Sequence, residues 1–259
     1  MRAFAVLSDE DLEALWTWRG GELQVRDALY RSLGDEVDAL VRARAHLERD
    51  PATTDAERIL AFADGALGSL RGRLVGLDDA LLDRAPSPGE WTLRETLRHV
   101  YDVERRYAAN TSHAVHRRDD ERLRLADDDP RIADSDPSET AGPIDRVVER
   151  IVAARDRSDA LLGATPNSAL QRPSQWSGIE VTVRFRLHRF GEHLVEHTIQ
   201  CEKTLEGLGV GQGEARRIVR RIWAARAELE AVDADADTIA LLDREHEARM
   251  ESTRTTARA

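Results

Sequence analysis

Apolar residues recur along most of the chain at three- and four-residue intervals, the period of an amphipathic helix and not the alternation of a strand. From Gly21 to Glu48 the positions Leu23, Ala28, Leu29, Leu33, Val37, Leu40, Val41 and Leu47 form one stripe, closed by Asp50-Pro51. A helix is expected before it, opened by Ser8 with Asp9, Glu10 and Asp11 in the first turn, where acidic groups suit the helix dipole, and broken at Gly20-Gly21. Thr54 with Glu57 forms a capping box ahead of Ile59, Phe62, Ala66, Leu70 and Leu74, the first long core helix. Thr92 with Glu95 repeats the pattern directly after Trp91, and Leu93, Leu97, Val100, Val103 and Tyr107 continue it as a second.

A third core helix is expected behind Pro143, with Ile144, Val147, Val148, Ile151, Val152 and Leu161-Leu162 facing inward. A fourth starts between Gly178 and Thr182 and runs to Gly207, carrying Val183, Leu187, Phe190, Leu194, Cys201 and Leu205. Two further helices cover 215–232 and 238–250, before a frayed tail. Pro86, Pro88 and Gly89 force a loop between the first two core helices. The stretch 117–142, rich in Asp and Arg, is a long connection suited to a lid. No fixed-period repeat of the solenoid kind is evident.

Composition agrees with an all-α protein: 34% charged and only 5% aromatic residues, dominated by good helix formers. The net charge of -11 argues against a nucleic-acid surface, which needs a concentrated basic face. No apolar run reaches the roughly 18 residues of a membrane span, and the start of the chain has no signal-peptide pattern, so a cytoplasmic protein is expected. The lone Cys201 is expected to be a small buried hydrophobe and not a nucleophile.

The candidate chemistry lies in the histidines. His193 and His197 stand four residues apart in HLVEH, where helical neighbours are about 5–6 Å apart at Cβ and two imidazoles can share one cation. A pair at this spacing is also compatible with solvated or packed histidines, so a third ligand is needed. His99, on the flank of the second core stripe, is the best candidate. His188 lies roughly 140° around its helix from His193 and should face away. His113 is about 21 Å along the axis from His99. His46, His116 and His246 lack partners at ligand spacing. Glu196 and Asp102 stand beside these ligands, and Arg106 and Arg186 are expected as surface charges within about 10 Å of them.

The order of these features resembles the DinB-like (DinB/YfiT) superfamily of small metalloproteins. The resemblance is carried by Trp91-Thr92-Leu93-Arg94-Glu95-Thr96-Leu97-Arg98-His99-Val100 and by HLVEH at 193–197. It implies an up-down-down-up four-helix bundle over 51–210, with helical extensions at 1–50 and 211–259, all in a single domain. It also implies one divalent metal, zinc or nickel, on His99, His193 and His197. Several relatives are transferases or isomerases dependent on a low-molecular-weight thiol (bacillithiol, mycothiol or glutathione), in which the metal presents a thiolate to a small electrophile. Metal-dependent hydrolysis and a non-catalytic, stress-associated binding module are the alternatives. The extensions are expected to cover the bundle or to form a homodimer interface.

Overall fold

The computed structural model describes residues 2–232 and 235–256. Two short helices, α1 (Arg2–Ala5) and α2 (Asp9–Glu13), precede a hairpin of β1 (Leu15–Trp18) and β2 (Gly21–Gln24) and the long α3 (Val25–Leu47). The helices α4 (Asp55–Leu74), α5 (Leu93–His116) and α6 (Ile144–Leu162) follow. A second hairpin, β3 (Pro173–Trp176) and β4 (Ile179–Thr182), leads into α7 (Val183–Gly207), and α8 (Glu214–Ala231) and α9 (Ala236–Thr256) complete the described chain.

Both expected capping boxes are present. Thr54 accepts from the Glu57 N–H and Thr92 from the Glu95 N–H, and each glutamate carboxylate accepts in return from the N–H of the cap residue. These caps set the starts of α4 and α5, and with them the phase of every core side chain below.

Contacts fix the helix directions. Asp55 pairs with Arg184, and Gly191 sits against Phe62 and Ala63, so α4 and α7 run parallel. Thr54 meets the Gly163 carbonyl and Asp79 the Ile144 N–H, so α6 opposes α4. Arg94 donates to the Gly142 carbonyl and Glu104 pairs with Arg155, so α5 runs with α6. The result is an up-down-down-up bundle of α4 to α7, filled by Leu67, Leu70, Leu97, Val147, Leu187 and their neighbours. Two smaller clusters lie outside it, one joining α1, α2, β1, α3 and α8, the other α3, α8 and α9.

The structure corrects the sequence reading before α3 and before α7. Residues 15–24, expected as the end of one helix and the start of the next, and 173–182, expected as a connection running into a helix start, are antiparallel hairpins, with turns at Arg19-Gly20 and Ser177-Gly178. All four turn residues have positive φ, 50° and 81° in the first and 47° and 83° in the second, as a two-residue turn matched to strand twist requires. Four-residue strands are too short for their alternation to register against a helical stripe. The tail also differs: α9 continues to Thr256 where fraying was expected.

At the centre of the bundle is a charged cluster. Arg155, 1% exposed, pairs with Glu104 at 2.9 Å, with Asp159 at 2.5 Å and with Asp64 at 3.4 Å, and its guanidinium stands 4.6 Å from the Phe190 ring centroid. One cation cannot balance three ionised carboxylates where Glu104 is buried and Asp64 largely so. Burial, reinforced by the Asp159 charge, pushes the Asp64 carboxyl up to about 8. A raised carboxyl stabilises the fold most below its ordinary value of 3.8, and that contribution is lost as pH rises through about 8. Asp64→Asn, which fixes this group neutral, will therefore flatten the fall in stability between about pH 4 and pH 8, measured by urea unfolding across that range. An unchanged pH profile would show that Asp64 is not the titrating group.

Candidate metal centre

His193 and His197 are presented by successive turns of α7 and His99 by the second turn of α5, on the antiparallel seam where Tyr107 also meets Phe190 and Arg186 meets Thr111. The ligand atoms of the three histidines all lie within 4.8 Å of one another. The Nε2 atoms of His99 and His193 are 3.2 Å apart. Two nitrogens on a tetrahedral ion at about 2.0–2.1 Å would be separated by roughly 3.3 Å, so this pair already has the spacing that a shared cation needs. The donor set therefore fits one divalent ion, and three protein ligands leave at least one further position in its shell.

Burial keeps the His99 and His193 rings neutral. His193 and His197 are each 6% exposed. Desolvation, with the neighbouring His197 and His99, pushes His193 down to about 2, and desolvation with His197 and Arg106 also lowers His99. A neutral imidazole carries the lone pair that a metal uses. The Nδ1 of His197 lies 2.7 Å from Gln200 Oε1. With Nδ1–H donating there, Nε2 is left as the acceptor facing the other two rings.

The surroundings are aromatic and cationic. The exposed Trp91 ring is 5.3 Å from His99, and Tyr107 is 5.6 Å from His193. The second hairpin closes this side, since Trp176 Nε1 donates to the Tyr107 hydroxyl at 3.4 Å and Arg189 stacks 4.9 Å over Trp176. The 117–142 connection is tied down: Asp102 accepts from the Ser135 N–H at 2.9 Å, Asn110 from the Leu125 N–H at 3.1 Å, and Arg106 donates to the Ile132 carbonyl at 3.1 Å while pairing with Asp134.

His99, His193 and His197 are thus brought together, while His188 is exposed on the opposite face of α7. Asp102 is occupied by the connection and Glu196 is largely exposed, 3.7 Å from Arg189. Arg186 is a correction: it is buried, donating to Thr111 Oγ1 and the Gln175 carbonyl, and desolvation pushes it down to about 10. A solitary arginine has no sequence mark of such burial; its carbonyl partner, Gln175, comes from a hairpin in a stretch expected only as the connection before the fourth core helix. Gln200 went unread for a related reason, since its role depends on the rotamer of His197. Its spacing of three from His197 was the available signal.

A family model described as the DinB superfamily matches residues 63–201, just over half of the chain. The chain belongs to the DinB superfamily. The matched segment includes all three histidines and excludes α3, α8 and α9. A solved structure of YfiT from Bacillus subtilis, described as a probable metal-dependent hydrolase with an unusual four-helix bundle topology, is similar at 14% identity and a TM-score of 0.47, over 62% of this chain and 93% of that one. No curated protein matches the sequence. As a DinB-superfamily member the chain carries its histidine cluster on the second and fourth helices of the bundle, with α8 packed on α4 and α3 and α9 beyond it. Among the described residues no helix is long and apolar enough to cross a membrane.

Proposed function

We propose that the chain is a metal-dependent enzyme in which His99, His193 and His197 hold one divalent ion, zinc or nickel, and a low-molecular-weight thiol reacts there with a small electrophile in a transferase or isomerase reaction. The observation that carries this reading is the convergence of three imidazoles from two antiparallel helices on one point, with ligand atoms within 4.8 Å. Imidazole suits both metals. Such an ion, when bound, lowers the pKa of a thiol and so supplies a thiolate at neutral pH.

The chain's own residues have definite tasks in this scheme. Gln200 holds the tautomer of His197. Trp91 offers an exposed ring face beside His99 for an acyl or unsaturated electrophile. Arg106 and Arg189 are the cations available to the carboxylates that small thiols carry, each now held by acidic neighbours that an anion would have to displace. Cys201 does not supply the thiol: it is buried, and burial pushes it up to about 12.

Elemental analysis of untagged protein tests the centre. Wild type and His188→Ala are expected to carry about one divalent metal per chain, and His193→Ala essentially none. Equal loss in both variants would remove the assignment of faces. The metal-loaded protein is then assayed with glutathione, bacillithiol or mycothiol and activated electrophiles. Turnover that requires a thiol supports the transferase reading, ester or amide hydrolysis without one replaces it by a hydrolase, and neither, in a metal-loaded protein, replaces it by a binding module.

A further inference from the structure

The two hairpins are the visible part of a longer correspondence within the chain. Strand β1 begins at Leu15 and β3 at Pro173, 158 residues later. At that shift Trp18 falls on Trp176, Gly20 on Gly178, Val25 on Val183, Arg26 on Arg184 and Leu29 on Leu187. The same hydrogen bond enters each helix, from Val25 N–H to the Ala14 carbonyl and from Val183 N–H to the Arg172 carbonyl, both at 3.0 Å. All seven buried positions of α3 land on buried positions of α7. The next helices follow at a shift of 159, α4 beginning at Asp55 and α8 at Glu214, and all seven buried positions of α8 land on buried positions of α4.

The spatial arrangement repeats with the sequence. The pair α3 and α8 runs parallel, Tyr30 reaching Glu214 and Arg44 reaching Glu228, as α7 and α4 do. The pair α3 and α9 is antiparallel, Leu40 lying with Leu242 and Ser32 with Arg249, as α7 and α5 are. The two sets meet where α4 packs antiparallel on α8: Gly65 lies by Glu228, and Gly72 by Arg220. A Cβ on Gly68 would stand 2.6 Å from that of Ala227, its own counterpart at the 159-residue shift. A residue that touches its own equivalent marks a twofold axis.

We infer that α3, α8 and α9 are a second, degenerate copy of α7, α4 and α5, docked in cis on the α4 face about an internal twofold axis, and that Asp35, Ala39 and Leu241 occupy the metal-ligand positions that this copy has lost. Asp35 and Ala39 correspond to His193 and His197 at the 158-residue shift. Arg249, against Asp35 at 2.5 Å, takes the place of Tyr107 against His193, which puts Leu241 at the position of His99. The copy is cross-tied by arginine where the other half gathers imidazoles: Arg249 holds Asp35, and Arg226 holds the buried Glu36 at 2.6 Å. The α4 face is thus the surface on which the chain meets its own second copy, with α8 already seated there in cis.

The loss of ligands rests on the metal reading above, and the experiment separates the two. Asp35→His, Ala39→His and Leu241→His are combined, and cobalt is titrated into apo wild type and variant, with bound metal counted by elemental analysis and the visible bands of cobalt. The expected result is about one equivalent in wild type and two in the variant. One equivalent in both, with the variant folded by circular dichroism, overturns the correspondence and leaves the metal reading intact. None in wild type overturns the metal reading and the lost site with it. Since Ala39 is buried, the two-residue variant Asp35→His with Leu241→His keeps the test open should the triple variant not fold. Both of its positions reach solvent, and a second, weaker cobalt equivalent is expected. Its absence in a folded protein counts against the proposal.

Discussion

Arg155→Met will lower the free energy of unfolding by about 3–5 kcal/mol, the cost of leaving buried acids without their cation. The side chains are similar in length, so packing is nearly conserved and charge is what changes. Glu104, 4% exposed on α5, loses its 2.9 Å partner, and Asp64 on α4 and Asp159 on α6 lose the charge between them. Burial already holds the Glu104 carboxyl above its ordinary value, so protonation recovers only part of the loss. Chemical denaturation at neutral pH measures the effect, and Arg155→Met with Glu104→Leu should regain most of it, because removing both partners of a buried pair costs far less than removing one. A loss below about 1 kcal/mol in the single variant would mean that water already reaches the cluster. The cluster bears on function because it ties α5 and α6 together beneath His99 and lies against Phe190, one turn before His193. Metal affinity should fall with stability.

Gly68→Ala will destabilise the protein although alanine is the better helix former, and Gly34→Ala will stabilise it. At Gly34, on the exposed face of α3, an added Cβ meets nothing within 4 Å, so the propensity gain of about 0.5–1 kcal/mol appears undiminished. At Gly68 the new methyl would stand 2.6 Å from Ala227 Cβ and closer still to the Trp223 carbonyl oxygen, which is backbone and cannot turn aside. Overpacking of this kind costs about 1–3 kcal/mol, more than the propensity gain. Thermal unfolding of the two variants should move the melting temperature in opposite directions. Movement in the same direction would show that α8 slides on α4 at little cost.

What the sequence made legible follows from range. The starts of α4 and α5 were readable because a capping box is complete within four residues, and the three histidines because two share one helix and the third flanks a clear stripe. Arg155 and Glu104 were hidden because a charged residue in an amphipathic helix reads as solvent-facing. Glu104 nonetheless sits four residues beyond Val100, in phase with the apolar stripe, and that displaced polar residue was the usable sign. The hairpins were lost to their brevity. The internal correspondence was hidden because its two parts stand 158 residues apart with most of the bundle between them, and because few identities survive where burial only asks for apolar side chains of similar size.

Cys201 follows His197 by one turn of α7 and is fully buried, with burial pushing its thiol up to about 12. A thiol reagent can reach it only after α7 has parted from its neighbours, so the chain carries a single native clock on that event. Under conditions where opening and closing outpace modification, the labelling rate reports the free energy of the opening that exposes this thiol, as amide exchange does for backbone groups. An ion bridging α5 and α7 should slow that clock by the factor 1 + [metal]/Kd. Binding at the histidines then becomes readable from the covalent labelling of one sulfur, without knowledge of any substrate.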